Sequence, residues 1–148
     1  MRILTDTNIL LRLAEERHPH HTRADAALYA LRSRGDEPCV VAQVIYEFWS
    51  ACTRPVELKN GLGLTVTDTA SKVRRLQQLF PLYRDEHAIF ERWEELVTQH
   101  EVKGKKAHDA RLVAAMLHHR LTHLLTFNDT DFKRFTEITV LTPSEVPA

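Results

Sequence analysis

Four acids in this chain sit where acids are costly. Asp6 follows the apolar opening of LTDTNILLRL (Leu4–Leu13). Glu47 lies inside VIYEFWSAC, among Val44, Ile45, Phe48 and Trp49. Asp109 falls near the start of KKAHDARLVAAMLHH. Asp131, with Asn128 and Asp129, comes just after the apolar stretch His123–Thr126. Taken singly each has an ordinary explanation. Asp6 is a plausible helix N-cap with Asn8 in the first turn. Asp109 gains ~0.3–1 kcal/mol from a helix dipole. Glu47 has Arg54 within reach, and Asp131 suits a surface. Taken together they describe something else. Carboxylates gathered in one low-dielectric cleft repel one another and must be neutralised. Three or four oxygen ligands with no soft donor suit a hard cation, Mg²⁺ or Mn²⁺.

The elements that must carry these acids alternate. Arg2–Thr5 reads as a short buried strand, followed by a helix over Asn8–Glu15. HPHH (His18–His21) is a turn into a helix from Thr22 to Arg34 that Gly35 is placed to end. Cys39–Val41 is a second strand and Ala42–Thr53 a helix with Pro55 just beyond. Glu57–Leu64 is a polar loop. Apolar residues recur at helical spacing over Thr67–Phe80 and Glu86–His100. Val102–Lys106 is a basic loop and Ala107–Leu121 a strong helix. His123–Thr126 is a strand, Phe127–Phe132 a loop, and Ile138–Leu141 the last strand. Strands alternating with helices imply an α/β domain with a mostly parallel sheet. Ligands in such sheets bind outside the carboxyl ends of the strands. Asp6 and the group Asn128, Asp129 and Asp131 follow two different strands and therefore point to one edge. In its helix, Glu47 has Gln43 and Ala51 as neighbours four residues away, so a narrow polar strip would face a cavity.

The 148 residues suit one domain spanning 1–148, and 43% hydrophobic with 27% charged residues suits a globular fold. No apolar run reaches the ~18–20 residues that span a bilayer. The first residues lack a signal-peptide apolar region, so a cytoplasmic location with no membrane partner is expected. Lys plus Arg total 20, as do Asp plus Glu, so net charge points to no polyanion; local patches decide that question. Lys103, Lys105, Lys106 and Arg111 cluster beside Asp109, and Arg12 follows Asp6 by about two turns. They suit phosphate contacts, though a solvated basic loop is equally consistent. Cys39 and Cys52 are read as packed, reduced thiols. His18, His20 and His21 read as a solvated turn; His118, His119 and His123 read as surface or cap positions; His108 is a cap or a contact residue. Phe48, Trp49, Phe90 and Trp93 read as core or interface aromatics.

DTNILL (Asp6–Leu11), the acid of VIYEFW (Glu47), GKKAHDARLVAAM (Gly104–Met116) and LLTFNDTDF (Leu124–Phe132) together resemble the PIN-domain ribonucleases, specifically the VapC-type toxins of bacterial toxin–antitoxin pairs. The four motifs stand in the family's order and span essentially the whole chain. The resemblance implies a three-layer α/β/α fold with helices on both faces of a central sheet. It implies Mg²⁺- or Mn²⁺-dependent hydrolysis of RNA phosphodiester bonds that blocks translation, with Asp6, Glu47 and Asp109 matching the family's metal-site acids. Asp131 and Asn128 match the final polar pair, and Asp129 remains open. Asp6 and Asp109 would be the principal ligands; Thr7, Asn8 and Thr126 would orient them. It further implies an RNA substrate, a homodimer, and a small antitoxin whose C-terminal segment lies along the cleft. The helices Thr67–Phe80 and Glu86–His100 would form a clip-like surface.

Two other readings compete. A haloacid-dehalogenase-like phosphatase also has an acid after its first strand, but needs a second Asp two positions on, where this chain has Asn8. A catalytically silent RNA- or antitoxin-binding module would suit a chain that had lost one of the acids.

Overall fold

The computed structural model describes residues 1–59 and 61–146. Asn60, inside the expected Glu57–Leu64 loop, and residues 147–148 at the chain end lie outside the described residues.

Five short strands form one sheet, β1 (Arg2–Thr5), β2 (Glu37–Val41), β3 (Leu82–Tyr83), β4 (His123–Leu125) and β5 (Thr139–Leu141), in the order β3-β2-β1-β4-β5. Every pairing is parallel. Parallel strands covered on both faces read as continuous apolar runs, and Ile3, Leu4, Cys39, Val40, Val41, Leu124 and Leu125 are all buried. The chain steps from β1 outward to β2 and β3. Helices α1 (Thr7–Ala14), α2 (His21–Ser33), α3 (Ala42–Thr53) and α4 (Val66–Leu79) lie along those crossovers. It then returns across the sheet to β4 through α5 (Ala88–Gln99) and α6 (Lys106–His118). Right-handed crossovers travelling in opposite directions place their helices on opposite faces. The packing agrees: α1 meets α2 and α3, α3 meets α4, and α5 packs along α6. One hydrophobic core joins both layers to the sheet. Cys39 and Cys52 are buried, unpaired thiols within it. No described helix is long and apolar enough to cross a membrane.

Most expected elements are present, with shifts of a residue or two. Three differences have physical causes. The strand β3 was not expected; two residues carry no periodic signal, and it exists by pairing Leu82 and Tyr83 with Val40 and Val41 at the sheet edge. The expected loop after β4 contains a 3₁₀ turn at Asp129–Phe132. The helix expected to run to Leu121 stops at His118. Arg120 takes φ +59°, and the Leu121 N–H bonds back to the Met116 carbonyl while that of Arg120 bonds to Leu117. This is a Schellman ending. The ending of α2 is the same motif with Gly35 at φ +86°, as the glycine foretells. In α6 an arginine occupies the left-handed position, so no glycine marks the stop.

Candidate active site

The sheet reverses its winding between β1 and β4, the switch point where open α/β sheets place ligands. Thr5 pairs with Leu125 there, so the next residues, Asp6 and Thr126, emerge side by side. Asp6 is buried and caps α1: its Oδ1 accepts the Thr7 N–H at 2.7 Å. Thr126 Oγ1 donates to Asp6 Oδ2 at 2.8 Å, and Asn8 Nδ2 reaches the same oxygen at 3.3 Å. Asn8 also donates to Thr126 Oγ1 at 3.0 Å and accepts the Phe127 N–H at 3.0 Å. The cap and the cleft acid are thus one residue. Burial nevertheless pushes Asp6 up to about 6, with Asp109 and Asp131 adding to the rise and the Thr126 and Thr7 bonds opposing it.

A cleft of about 820 Å³ opens at this edge, and Asp6, Glu47, Asp109, Asn128 and Asp131 all line it. Glu47 opens onto the cleft from α3; desolvation by the walls, then Asp6, push it up to about 7. Gln43 and Ala51, one turn to either side, line the same cavity. Asp109 in the first turn of α6 is raised by burial and by Asp131, while Lys106 opposes the shift. Lys106 Nζ bonds Asp131 Oδ1 at 2.6 Å and lies 3.9 Å from Asp109 Oδ2. Asp129 does not line the cleft; it faces Lys133 at 3.9 Å. The Thr7 hydroxyl is buried and has no hydrogen-bond partner among the described residues.

The oxygens do not form a tight triad. Among the described residues, no three of these acids bring ligand atoms within 4.8 Å of one another; the only His, Cys, Asp or Glu set that does lies elsewhere, at Glu86, His118 and His119. The four acids share a cavity and a field, with Lys106 as counter-ion between two of them.

The basic residues divide. Arg12 lines the cleft and is paired with Glu15. Lys103 and Lys105 are exposed and do not line it. Arg111 turns away: Nη1 donates to Gln43 Oε1 and Nη2 to Asp85 Oδ1, both at 2.9 Å.

The sequence from 3 to 138 matches the model of the PIN domain. The chain belongs to the PIN-domain family. Solved structures agree on this fold. A VapBC2 structure from Rickettsia felis, bound to a DNA fragment from its promoter, superposes with a TM-score of 0.71 at 15% identity, covering 96% of this chain and 98% of that one. A toxin–antitoxin complex from Klebsiella pneumoniae gives 0.64 at 24%, covering 95% and 97%. VapC20 of Mycobacterium tuberculosis, a sarcin-ricin loop cleaving toxin, gives 0.66 at 16%, covering 90% and 95%. No curated sequence matches the chain.

In this PIN domain Gln43, expected on the polar strip beside Glu47, does more than line the cleft. Gln43 is buried and ties two acid-bearing helices together, donating from Nε2 to the His108 carbonyl at 2.9 Å while holding Arg111. It fixes α3, with Glu47, against the start of α6, with Asp109. The sequence did not mark His20, Arg23, Ser50, Arg54 and Lys59, which also line the cleft. Arg54 bonds Ser50 and the Lys59 carbonyl rather than Glu47. His20, read as part of a solvated turn, stacks on Phe127 with ring centroids 5.2 Å apart. These residues come from segments whose closeness depends on the fold, and no local pattern marks them. Of the aromatics, Phe48 is core and Trp93 packs against it, donating Nε1–H to the Ala107 carbonyl; Phe90 is 59% exposed.

Proposed function

We propose that this PIN-domain chain is a metal-dependent endoribonuclease, the toxin of a toxin–antitoxin pair that blocks translation. One observation carries the reading. Four acids from distant segments line one cleft at the switch point, and at least three are held above their ordinary pKa by burial and by one another. Such an arrangement destabilises the fold unless a cation answers it. The donors fit Mg²⁺ or Mn²⁺: carboxylate oxygens, no soft ligand, and a buried hydroxyl, Thr7 Oγ1, with no partner among the described residues. Their spread fits an ion that keeps several waters and meets some carboxylates through them.

Asp6 and Asp109 would hold the ion, with Asp131 and Asn128 completing the site. When bound, it supplies charge neutralisation at the phosphodiester and lowers the pKa of water. Asn8 and Thr126 fix the rotamer of Asp6 through the bonds described above. Glu47 orients the attacking water and takes its proton. Gln43 keeps Glu47 and Asp109 in register. Lys106 and Arg12, with Lys103 and Lys105 at the rim, favour phosphate approach without selecting sequence.

The phosphatase reading fares poorly. Asn8, in the place of its proton donor, is engaged with Asp6, Thr126 and Phe127. Two of the related folds named above, VapBC2 and the Klebsiella pneumoniae complex, pair a toxin with an antitoxin, which supports a small antitoxin as partner; the same reading carries with it a homodimeric toxin and a cytoplasmic place of action. Residues 1–148 would act as one domain.

The test is a cleavage assay with total RNA. The protein, freed of any co-purifying partner, is incubated with Mg²⁺ or Mn²⁺, with EDTA, and beside Asp6→Asn. Discrete fragments that need metal and vanish in the variant are expected. Intact RNA in every lane, with metal binding demonstrated, would leave the silent binding module in its place.

A further inference from the structure

Helix α6 ends in two adjacent imidazoles, far from the cleft its other end enters. His118 lies in the last turn and His119 is the C-cap. Their rings sit 4.8 Å apart, nearly perpendicular. Glu86, just before α5, joins them: its Oε2 is 2.9 Å from His118 Nε2. One ligand atom from each of Glu86, His118 and His119 lies within 4.8 Å of the other two. None of the three lines the acidic cleft.

The hydrogen bonding prepares this set for a metal. His119 Nε2 is 2.8 Å from the Arg84 carbonyl, which can only accept. The proton therefore sits on Nε2, and Nδ1 keeps its lone pair. Metal-binding histidines are held in this way, the second nitrogen donating to a backbone carbonyl. The Tyr83 ring packs at 5.3 Å from the His119 ring and limits its rotation. Two imidazoles and a carboxylate favour a borderline divalent ion, Zn²⁺, Ni²⁺ or Cu²⁺, over Mg²⁺. Three protein ligands leave a fourth, solvent-facing position.

We propose that Glu86, His118 and His119 form a second, transition-metal site that clamps the Arg84–Glu86 segment onto the end of α6. The clamp has a structural target. Asp85 within that segment holds Arg111 at 2.9 Å and accepts from Tyr46 Oη at 3.0 Å. Arg111 in turn holds Gln43. An ion at this end steadies the strut that aligns the two acid-bearing helices.

The experiment uses untagged, EDTA-stripped full chain carrying Asp6→Asn and Asp109→Asn, which silences the cleft. Zn²⁺ or Ni²⁺ is titrated by calorimetry and the melting temperature is followed. Saturable binding at one equivalent with a rise in Tm is expected. His118→Gln with His119→Gln should weaken binding by more than ~10-fold, a loss that even orienting groups produce, and should erase the rise. His18→Gln, His20→Gln and His21→Gln together should change neither. Glu86→Gln, at an exposed position, repeats the test should the double histidine variant not fold. Absence of binding, or binding by the Glu86 and histidine variants as tight as that of the parent protein, overturns the proposal.

Discussion

The two ends of α6 make opposite use of charge. At the first turn Asp109 faces other acids, and one lysine only partly answers them. At the last turn two imidazoles meet a single glutamate, on the end of the helix where positive charge is favoured. The first end is electrostatically unsatisfied and gains from an added hard cation. The second is nearly satisfied as it stands and gains from an ion only because its nitrogens already converge. Unfavourable electrostatics suit the former to the chemistry proposed for it, and convergent nitrogens suit the latter to the holding role proposed for it.

The largest separation between the ends should appear in cleavage. Asp109→Asn or Asp6→Asn should lower RNA cleavage by more than ~100-fold, beyond the 10–100-fold typical of merely orienting groups. His118→Gln should leave the rate in Mg²⁺ unchanged. Equal losses from both ends would show that the cleft has no privileged role.

Stability against pH should divide the ends next. Asp6 titrates near 6 in the folded chain, against about 4 ordinarily, and Glu47 near 7. Between those values the folded protein holds protons that the unfolded chain has released. Its stability therefore falls as pH rises from about 4 to about 7. At ~1.4 kcal/mol per pH unit the Asp6 contribution is up to ~3 kcal/mol. Urea denaturation of the metal-free protein should show this decline. Asp6→Asn, which keeps a capping oxygen, should flatten it and be the more stable protein at neutral pH. Glu86→Gln should leave the slope in place. Identical slopes in wild type and Asp6→Asn would mean that burial does not press on Asp6.

The same contrast sets what the sequence revealed. Asp6 and Glu47 stood out because an acid in an apolar run is locally anomalous, Asp109 joined them only through the combination of acids and the family resemblance, and the strand-then-acid order placed Asp6 and Asp131 at one sheet edge. The parallel sheet and five of its six helices followed from periodicity to within a few residues, and α6 overshot only at its end. Pairings across the fold left no local trace. Gln43 was expected on the polar strip beside Glu47, but nothing local showed that it meets the His108 carbonyl 65 positions away. Glu86 and His118 are 32 residues apart. Arg111, part of a basic run in sequence, is drawn away from the cleft by Asp85 and Gln43, which no count of charges foretells.

The closing turn of α6 gives a smaller effect that needs no ligand. Arg120 at φ +59° bears the strain that a side chain suffers in the left-handed region, while Gly35 at φ +86° closes α2 with none. Arg120→Gly should raise the unfolding free energy by ~0.5–1 kcal/mol, and Gly35→Ala should lower it by at least as much. Chemical denaturation checks both. A destabilising Arg120→Gly would mean that the arginine side chain supplies more than its backbone costs.

The smallest effect belongs to Lys106, and it sharpens the account of the cleft. Its ammonium bonds Asp131 at 2.6 Å and approaches Asp109 at 3.9 Å, so it takes up part of the negative field that a divalent cation would use. It is also a cation at the mouth of a site proposed to receive phosphates. These roles pull metal and RNA in opposite directions. Removing the lysine leaves the acids freer, so Lys106→Gln should tighten Mn²⁺ binding. The pair lies in contact with solvent, which screens it, so the gain is at most about fivefold. The same variant should bind RNA more weakly, with the salt slope shallower by about one. Manganese titration and filter binding on one preparation separate the two. Tighter metal with unchanged RNA makes Lys106 a counter-ion alone. Weaker RNA with unchanged metal makes it a phosphate contact whose bond to Asp131 is given up whenever substrate arrives.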